Sequence, residues 1–212
     1  MDSGTFGELF LMMGDTLSVA TQQQRQQLRR QLRQQRRALG PQKQALAART
    51  LCLSLQKNPR IQQAKHIAAY VASDGEINPL RFMRWAQRHG KTLWLPVVTP
   101  THSLHRGGLR FVKAPAMHAR RGWRRNAYGI AEPISRQSRS AKALDIVLMP
   151  LVGFDTQGNR LGMGGGYYDR LLAKLSQSPR RPRTMGLAHA CQHVASLPKA
   201  SWDRAVDALI VV

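Results

Sequence analysis

Four glycines stand within five positions, from Gly162 to Gly166, in the segment R-L-G-M-G-G-G-Y-Y-D. Because glycine adopts positive φ at little cost and carries no side chain, consecutive amides of such a segment can converge on an anion. The apolar run Ile146 to Met149 predicts a buried strand upstream, and apolar residues at helical spacing predict a helix downstream. The segment therefore predicts a phosphate-binding loop at a helix N-terminus, with Asp169 placed to hold a metal ion on that phosphate.

This segment matches neither of two familiar nucleotide fingerprints. The chain contains no G-x-x-x-x-G-K-[ST], and the spacing G-x-G-x-x-G fails because Tyr167 stands where the last glycine is needed. On the residues alone, the glycine cluster is therefore also compatible with a tight turn that binds nothing.

Acidic residues are scarce and lie beside predicted strands and glycine turns. Outside the first twenty or so residues they are Asp74, Glu76, Glu132, Asp145, Asp155, Asp169, Asp203 and Asp207. This placement favours specific roles over positions on solvated helix faces. On the first predicted helix, Arg25, Arg29 and Arg33 are four residues apart and share a face, for which a solvated basic surface is the simplest interpretation.

Helical and strand patterns alternate along the chain. Helices are predicted for residues 22–38, 42–57 and 79–89. Strands are predicted for His66–Ala72, Thr92–Pro96, Leu109–Lys113, Ile146–Met149, Thr184–Ala188 and Asp207–Val212, and an irregular loop for Ala114–Arg125. The alternation predicts an α/β fold whose mostly parallel sheet is covered on both faces and binds ligands at the carboxyl ends of its strands.

The length of 212 residues fits one domain with a full core, which we assign to residues 22–212. Residues 1–21 lack the basic start and the longer apolar stretch of a signal peptide, so we expect no signal peptide and assign them to a disordered extension. Cys52 and Cys191 give no disulfide framework and no metal-ligand spacing, so we expect reduced thiols in a cytoplasmic protein. A nucleophilic pair of Cys191 and His189 lacks an evident orienting group.

The charge balance is strongly basic, since 33 Lys and Arg against 11 Asp and Glu give a net charge of +22. Such a balance suits polyanions, including nucleic acid. The basic residues are dispersed, however, and no helix-turn-helix, zinc-finger or aromatic RNA-binding signature is present. We therefore expect no nucleic acid as the main partner, and no window is apolar enough to indicate a membrane span.

Several motifs, in their order and spacing, resemble the 5-formyltetrahydrofolate cyclo-ligase family, also called methenyltetrahydrofolate synthetase. The resemblance runs from about Arg25 to the C-terminus. Its most specific part is M-P-L-V-G-F-D-x-x-G-x-R-L-G-M-G-G-G-Y-Y-D, from Met149 to Asp169. Supporting motifs are R-x-x-L-R, R-R-A-L, D-G-E, L-P, Y-G-I-x-E-P, A-H-x-C-Q and W-D-x-x-V-D.

The resemblance implies an enzyme that converts 5-formyltetrahydrofolate, with or without a polyglutamate tail, to 5,10-methenyltetrahydrofolate. ATP would be the co-substrate, Mg²⁺ would be required, and ADP and phosphate would be released. It also implies a three-layer α/β/α sandwich similar to sugar-phosphate isomerases and CoA transferases.

The same resemblance implies roles for particular residues. ATP contacts are expected from Arg25, Arg29, Arg160, Gly162, Met163, Gly164, Gly165, Gly166, Tyr167 and Tyr168. Folate contacts are expected from Val71, Glu76, Gly164, Gly165 and Tyr167. Arg160 and Tyr167 are the candidate catalytic residues, and Asp169 and Asp203 are the candidate Mg²⁺ ligands. Family members often carry Lys at the position of Arg25, which keeps the charge but changes its geometry.

Two other functions fit parts of the sequence. An ATP-dependent phosphotransferase on another small amide or acid would keep the glycine loop and Asp169 but would have no need of Glu76. A basic, non-catalytic polyanion binder would lose affinity steeply with salt. Trp123 is expected either to stack on an aromatic ligand or to lie on a surface loop, and the lack of an obvious apolar seam predicts a monomer.

Overall fold

The computed structural model describes residues 18–99, 107–126 and 129–212. Its helices are α1 (Val19–Arg37), α2 (Pro41–Lys57), α3 (Pro59–Gln63), α4 (Leu80–Arg88) and α5 (Tyr167–Ser176), with 3₁₀ turns at Ala141–Ala143 and Ala190–Gln192. Its first strands are β1 (His66–Ala68), β2 (Thr92–Val98), β3 (Leu109–Lys113), β4 (Trp123–Arg125), β5 (Ala131–Pro133) and β6 (Ser138–Arg139). The remaining strands are β7 (Ile146–Pro150), β8 (Gly153–Asp155), β9 (Arg160–Leu161), β10 (Arg183–Ala188), β11 (His193–Val194) and β12 (Ala208–Val211).

A seven-stranded sheet in the order β12-β10-β7-β1-β2-β3-β6 forms the centre of the fold. The strands from β12 to β2 pair in parallel, whereas β3 and β6 add an antiparallel edge. The prediction of an α/β fold with a mostly parallel sheet is confirmed.

Helices cover both faces of this sheet, as the alternation of side chains along β7 shows. Ile146 and Leu148 belong to a core shared with α2 and α4, whereas Val147 and Met149 belong to a core shared with α5. A strand whose residues are apolar at successive positions must be buried on both sides. The result is the expected three-layer arrangement.

Helix α1 lies across the carboxyl ends of the central strands. Its Leu32 is buried against Gly153, whose missing side chain leaves the space that the leucine methyl group occupies. Arg36 of the same helix reaches the carbonyl of Leu151, just beyond β7. Ligands of parallel α/β sheets bind at this edge, so α1 forms one wall of the region where a site is expected.

Several predicted boundaries differ from the structure. The first helix begins at Val19, three residues before the predicted start, and the Ser18 hydroxyl caps it by accepting from the Thr21 amide. Residues 1–17 of the predicted extension lie outside the described residues. The ladder of β1 ends at Ala68, short of the predicted Ala72. The loop Ala114–Arg125 was predicted to be irregular throughout, but its last three residues pair with β5 as a hairpin.

Within the described ranges, no helix is both long enough and apolar enough to cross a bilayer. Cys52 and Cys191 are free thiols, and burial raises the pKa of each. Burial also lowers the pKa of His189, which favours the neutral imidazole. A thiolate is the reactive form of cysteine, so this environment does not favour the Cys191–His189 pair.

Candidate active site

Four arginines of α1 point toward the carboxyl ends of the strands. Arg25, Arg29, Arg33 and Arg36 follow one another at intervals of four, four and three residues, the spacing of one helix face. Arg25 and Arg36 are buried, and all four donate to other segments of the chain. The solvated basic face expected from the residues alone is therefore wrong for this stripe.

The glycine loop, residues 162–166, joins β9 to α5 and packs against the stripe of four arginines on α1. Arg29 Nε donates to the Gly162 carbonyl oxygen at 2.8 Å. Gly164 and Gly166 have φ values of +104° and +66°, which favour glycine, and Gly166 caps α5 without a side-chain hydrogen bond. Among the described residues, the amides of Met163 to Gly166 donate to no protein acceptor. Unpaired amides at a helix N-terminus are suited to an anion.

Arg160 and Asp169 form a close ion pair beneath this loop. Arg160 Nη2 lies 2.6 Å from Asp169 Oδ1, and the arginine side chain is 1% exposed. Arg160 Nε is buried and has no hydrogen-bond partner among the described residues. A buried donor without an acceptor is unusual in a native protein, so this guanidinium retains capacity to bind a further oxygen.

The candidate residues Arg25 and Asp203 also pair with each other. Arg25 donates to both carboxylate oxygens of Asp203, at 2.6 and 2.8 Å, and to the Pro198 carbonyl. Asp203 additionally accepts from the Ala200 amide. The binding of Mg²⁺ by Asp203 stays a prediction, because both of its oxygens are already engaged in this arrangement.

The turn after β1 is clamped onto α1 through Asp74. Its carboxylate accepts from Arg33 at 2.7 Å and from Arg36 at 2.9 Å, and Arg36 also donates to the Asp74 carbonyl. Although burial alone would raise the pKa of Asp74, hydrogen bonds from these arginines lower it. Asp74 adopts a φ of +51° and Gly75 a φ of +74°, so the turn is left-handed at two successive residues.

This clamped turn presents Glu76 to the interior of the site. Glu76 Oε2 accepts from the Ser73 amide at 3.0 Å, and Oε1 lies 3.9 Å from Arg36 Nη2. Burial raises the pKa of Glu76. Burial, and next the negative charge of Glu76, raise the pKa of Tyr168, the second residue of α5. Glu76, the carboxylate predicted to bind folate, therefore lies close to Tyr168 at the start of α5.

Tyr167 and Met163 have different surroundings at the loop. The ring of Tyr167 packs against Gly165, where a Cβ would stand 2.9 Å from Cε2, and the guanidinium of Arg170 lies 5.0 Å from the ring centre. Met163 is half exposed, with its sulfur 3.8 Å from Arg36 Nη2. Arg36 thus contacts both the Asp74–Glu76 turn and the glycine loop.

Val71 lines an apolar cavity of about 250 Å³ next to the Glu76 turn. The other lining residues are Tyr70, Ala72, Asn78, Leu80, Met83, Met117, Trp123 and Ala131. Trp123 lies on β4, and its indole N–H donates to the Ala119 carbonyl. The tryptophan is therefore part of a cavity wall beside the candidate folate residues.

A divalent metal ion at this site would depend on few protein ligands. No group of three His, Cys, Asp or Glu side chains able to hold a metal is present in the parts of the chain that the structure describes. Mg²⁺ is commonly bound by one or two carboxylates together with substrate phosphates and water. Asp169 fits that mode, because it lies in the first turn of the helix that follows the glycine loop.

Sequence reasoning missed two site residues, Arg36 and Arg170. Arg36 appeared only within the motif R-R-A-L, although its position three residues after Arg33 continues the helix face of the stripe. Arg170 is held by the ring of Tyr167 and by the Gly107 carbonyl at 2.9 Å. Nothing in its local sequence predicts that contact across 63 residues.

A family model described as the 5-formyltetrahydrofolate cyclo-ligase family matches residues 21–212. The chain belongs to this family. A 5-formyltetrahydrofolate cyclo-ligase of Haemophilus influenzae is 36% identical over 183 residues, covering 85% of this chain and 94% of the relative. That of Escherichia coli K12 is 34% identical over 177 residues, covering 82% and 93%.

Solved structures agree with the cyclo-ligase family. The 5,10-methenyltetrahydrofolate synthetase of Aquifex aeolicus superposes with a TM-score of 0.72 at 26% identity and covers 88% of this chain and 89% of its own. The synthetase of Mycoplasma pneumoniae, at 23% identity and a TM-score of 0.67, covers 88% and 97% and supports the fold.

Replacing Gly75 by alanine should disturb the clamped turn more than a matched change elsewhere. A Cβ at Gly75 would stand 3.0 Å from the backbone of Arg36 and Arg37, whereas Gly90, with a similar φ of +72°, has nothing within 4 Å. Gly90→Ala should cost about 1 kcal/mol of left-handed strain, and Gly75→Ala about 1–3 kcal/mol more from the clash. Urea denaturation measures both, and equal losses would contradict the close approach.

Arg36→Met should destabilise the fold by about 3 kcal/mol, because it leaves part of the charge of Asp74 and the Leu151 carbonyl without their buried donor. The neighbouring Arg37→Met is the control, since Arg37 is half exposed and its ion pair with Asp74 is longer, at 3.4 Å. That change should cost less than about 1 kcal/mol. Thermal and urea unfolding of both variants test the difference, and similar losses would show that Arg36 has no special position.

Proposed function

We propose that this chain catalyses the ATP- and Mg²⁺-dependent cyclisation of 5-formyltetrahydrofolate to 5,10-methenyltetrahydrofolate, releasing ADP and phosphate. Its membership of the cyclo-ligase family supports the proposal. The structural observation that supports it most directly is that arginines of one helix, α1, contact both the glycine loop and the buried carboxylate of Glu76. Arg29 donates to the loop, and Arg36 lies beside Glu76.

The triphosphate of ATP is assigned to the glycine loop. The amides of Met163 to Gly166, which have no acceptor in the described ranges, and the N-terminus of α5 offer hydrogen bonds to phosphate oxygens. Arg29 stands against the loop, and Arg160 keeps an unused Nε beneath it. Arg25 reaches the same region through its pair with Asp203, so each arginine can neutralise phosphate charge after a small rearrangement.

Mg²⁺ is assigned to Asp169, with phosphate oxygens and water completing its coordination. When bound, the ion would neutralise negative charge on the β- and γ-phosphates. Asp203 is the second candidate ligand. In this role Asp169 would exchange its present partner, Arg160, which would then turn toward the phosphates.

The folate is assigned to the region between Glu76 and Tyr167. Glu76 can accept hydrogen bonds from the N–H edge of the pterin, and the apolar cavity beside Val71 can receive part of the ring system. Gly164 and Gly165 leave room for close approach, and Tyr167 forms the adjoining wall. A phosphotransferase acting on an unrelated substrate would not need the buried Glu76, which favours the cyclo-ligase reaction over that alternative.

The chemistry follows from the poor leaving ability of a formamide oxygen. Transfer of the γ-phosphoryl group breaks its bond to ADP and forms a bond to the formyl oxygen. N10 of the folate then attacks the formyl carbon, loses its proton, and closes the five-membered ring as phosphate leaves. Such transfer depends mainly on positioning and charge neutralisation, which Arg160 and the loop amides are arranged to give, while Tyr167 orients the folate.

The proposed substrates are small molecules, and the enzyme is proposed to act as a cytoplasmic monomer.

A polyglutamate tail on the folate would leave the site past basic residues, because Arg37, Arg81 and Arg84 line the cavity beside the Asp74–Glu76 turn. Comparing KM for monoglutamyl and polyglutamyl substrates measures whether the tail contributes to binding.

The purified chain should form methenyl product from 5-formyltetrahydrofolate, Mg²⁺ and ATP, followed by ultraviolet absorbance. Asp169→Asn should lower kcat at least about 100-fold, because it removes the proposed ligand of the charge-neutralising ion. Unfolding curves and ATP binding without Mg²⁺ serve as controls that the fold and loop persist. ATP binding without any product would favour the phosphotransferase, and near-normal turnover of Asp169→Asn would remove Asp169 from the metal site.

A further inference from the structure

A second concave surface lies between α2, α4 and the first residues of β2. It lies away from the glycine loop but shares Arg81 and Arg84 with the cavity beside the Asp74–Glu76 turn. This basic groove has a volume of about 1010 Å³. Six of its lining residues carry positive charge, namely Arg49, Arg81, Arg84, Arg88, Lys91 and Lys113. None of its lining residues in the described chain is acidic.

Most of these cations have no partner among the residues that the structure describes. Lys91 donates to the carbonyls of Gln62 and Ala64. The other five side chains are exposed, and among the described residues they form no hydrogen bond or ion pair. The arginines Arg25, Arg33, Arg36 and Arg160, by contrast, each pair with a carboxylate. Like charges gathered in one concavity repel each other and concentrate positive potential, so the basic groove favours a ligand with several negative charges.

The floor of the basic groove is apolar and contains an aromatic ring. Cys52, Leu53, Leu93 and Ala114 line it, together with Trp85. The Trp85 indole is half-buried; it stacks on His89, with ring centres 4.4 Å apart, and its ring centre lies 5.8 Å from that of Phe82. A groove that combines cations with apolar and aromatic groups is the arrangement by which proteins hold single strands, with phosphates on the cations and bases against the apolar surface.

We propose that the basic groove binds single-stranded nucleic acid, as a ligand separate from the substrates of the proposed reaction. The contacts are made to backbone phosphates and to the faces of bases, so binding has little sequence preference. A carboxylate chain such as a polyglutamate tail would satisfy the cations but would leave the apolar floor uncovered. The groove thus accounts for part of a net charge of +22 that the cyclo-ligase reaction does not require.

The test measures binding of a fluorescent oligouridylate of about 12 nucleotides as a function of salt. The groove variant is Arg49→Gln/Arg88→Gln/Lys113→Gln, three residues that line the basic groove and do not line the cavity beside Glu76. Six phosphate contacts predict a slope of log K against log salt of about −4, and three contacts a slope of about −2. At fixed low salt the groove variant should bind at least about tenfold more weakly.

A matched control removes the same charge elsewhere, through Arg30→Gln/Arg110→Gln/Lys174→Gln, whose side chains are exposed and lie outside the groove. The control should keep the wild-type slope, and both variants should keep cyclo-ligase turnover with the monoglutamyl substrate. Equal weakening by the two variants would show binding through bulk charge and overturn the proposal. Absence of binding at low salt, or displacement of the oligonucleotide by free poly-γ-glutamate at equal charge concentration, would also overturn it.

Discussion

The contact of Arg36 with the Asp74–Glu76 turn is the constraint on which the rest of the site depends. A guanidinium that no water reaches must satisfy its donors inside the protein, and here it does so on the Asp74 carboxylate and on the backbone carbonyls of Asp74 and Leu151. Removing one partner of such a buried pair lowers the free energy of unfolding by more than the intact pair contributes. The pair therefore holds the turn at one position on α1. Because Gly75 lets the backbone approach α1 closely, Glu76 is delivered to a fixed position.

The same helix holds the nucleotide side of the site. Arg29 rests on the glycine loop, and Arg25 pairs with Asp203, the second candidate metal ligand, while Asp169, the first candidate, pairs with Arg160. Each acidic residue proposed for Mg²⁺ is therefore neutralised by an arginine proposed for ATP. A triphosphate gives these arginines an alternative partner, which implies that nucleotide and metal ion bind together. Within the described part of the chain the buried Nε of Arg160 has no partner, which is consistent with a site that completes its hydrogen bonds only on binding.

How much the sequence predicts depends on the range of the interactions. Apolar periodicity predicts the sheet and most helices because burial on two faces dictates residue type at every position, as in Ile146 to Met149. The glycine loop is predicted because only glycine adopts the backbone at Gly164 and Gly166 without strain. The ion pairs of Arg36 and Arg160 are not predictable from pattern, since their partners depend on tertiary distances. Asp145 and Asp207, two of the scarce acids, instead bind backbone amides at strand starts, a role that the scarcity alone does not distinguish.

The central claim is that α1 holds the glycine loop and the Glu76 turn as one unit. Hydrogen exchange of backbone amides, followed by mass spectrometry with and without ATP and Mg²⁺, measures this most directly. The account predicts slower exchange on nucleotide binding both in residues 162–169 and in residues 73–76, although only the first segment contacts phosphate. Protection confined to residues 162–169, with unchanged exchange at the turn, would contradict it.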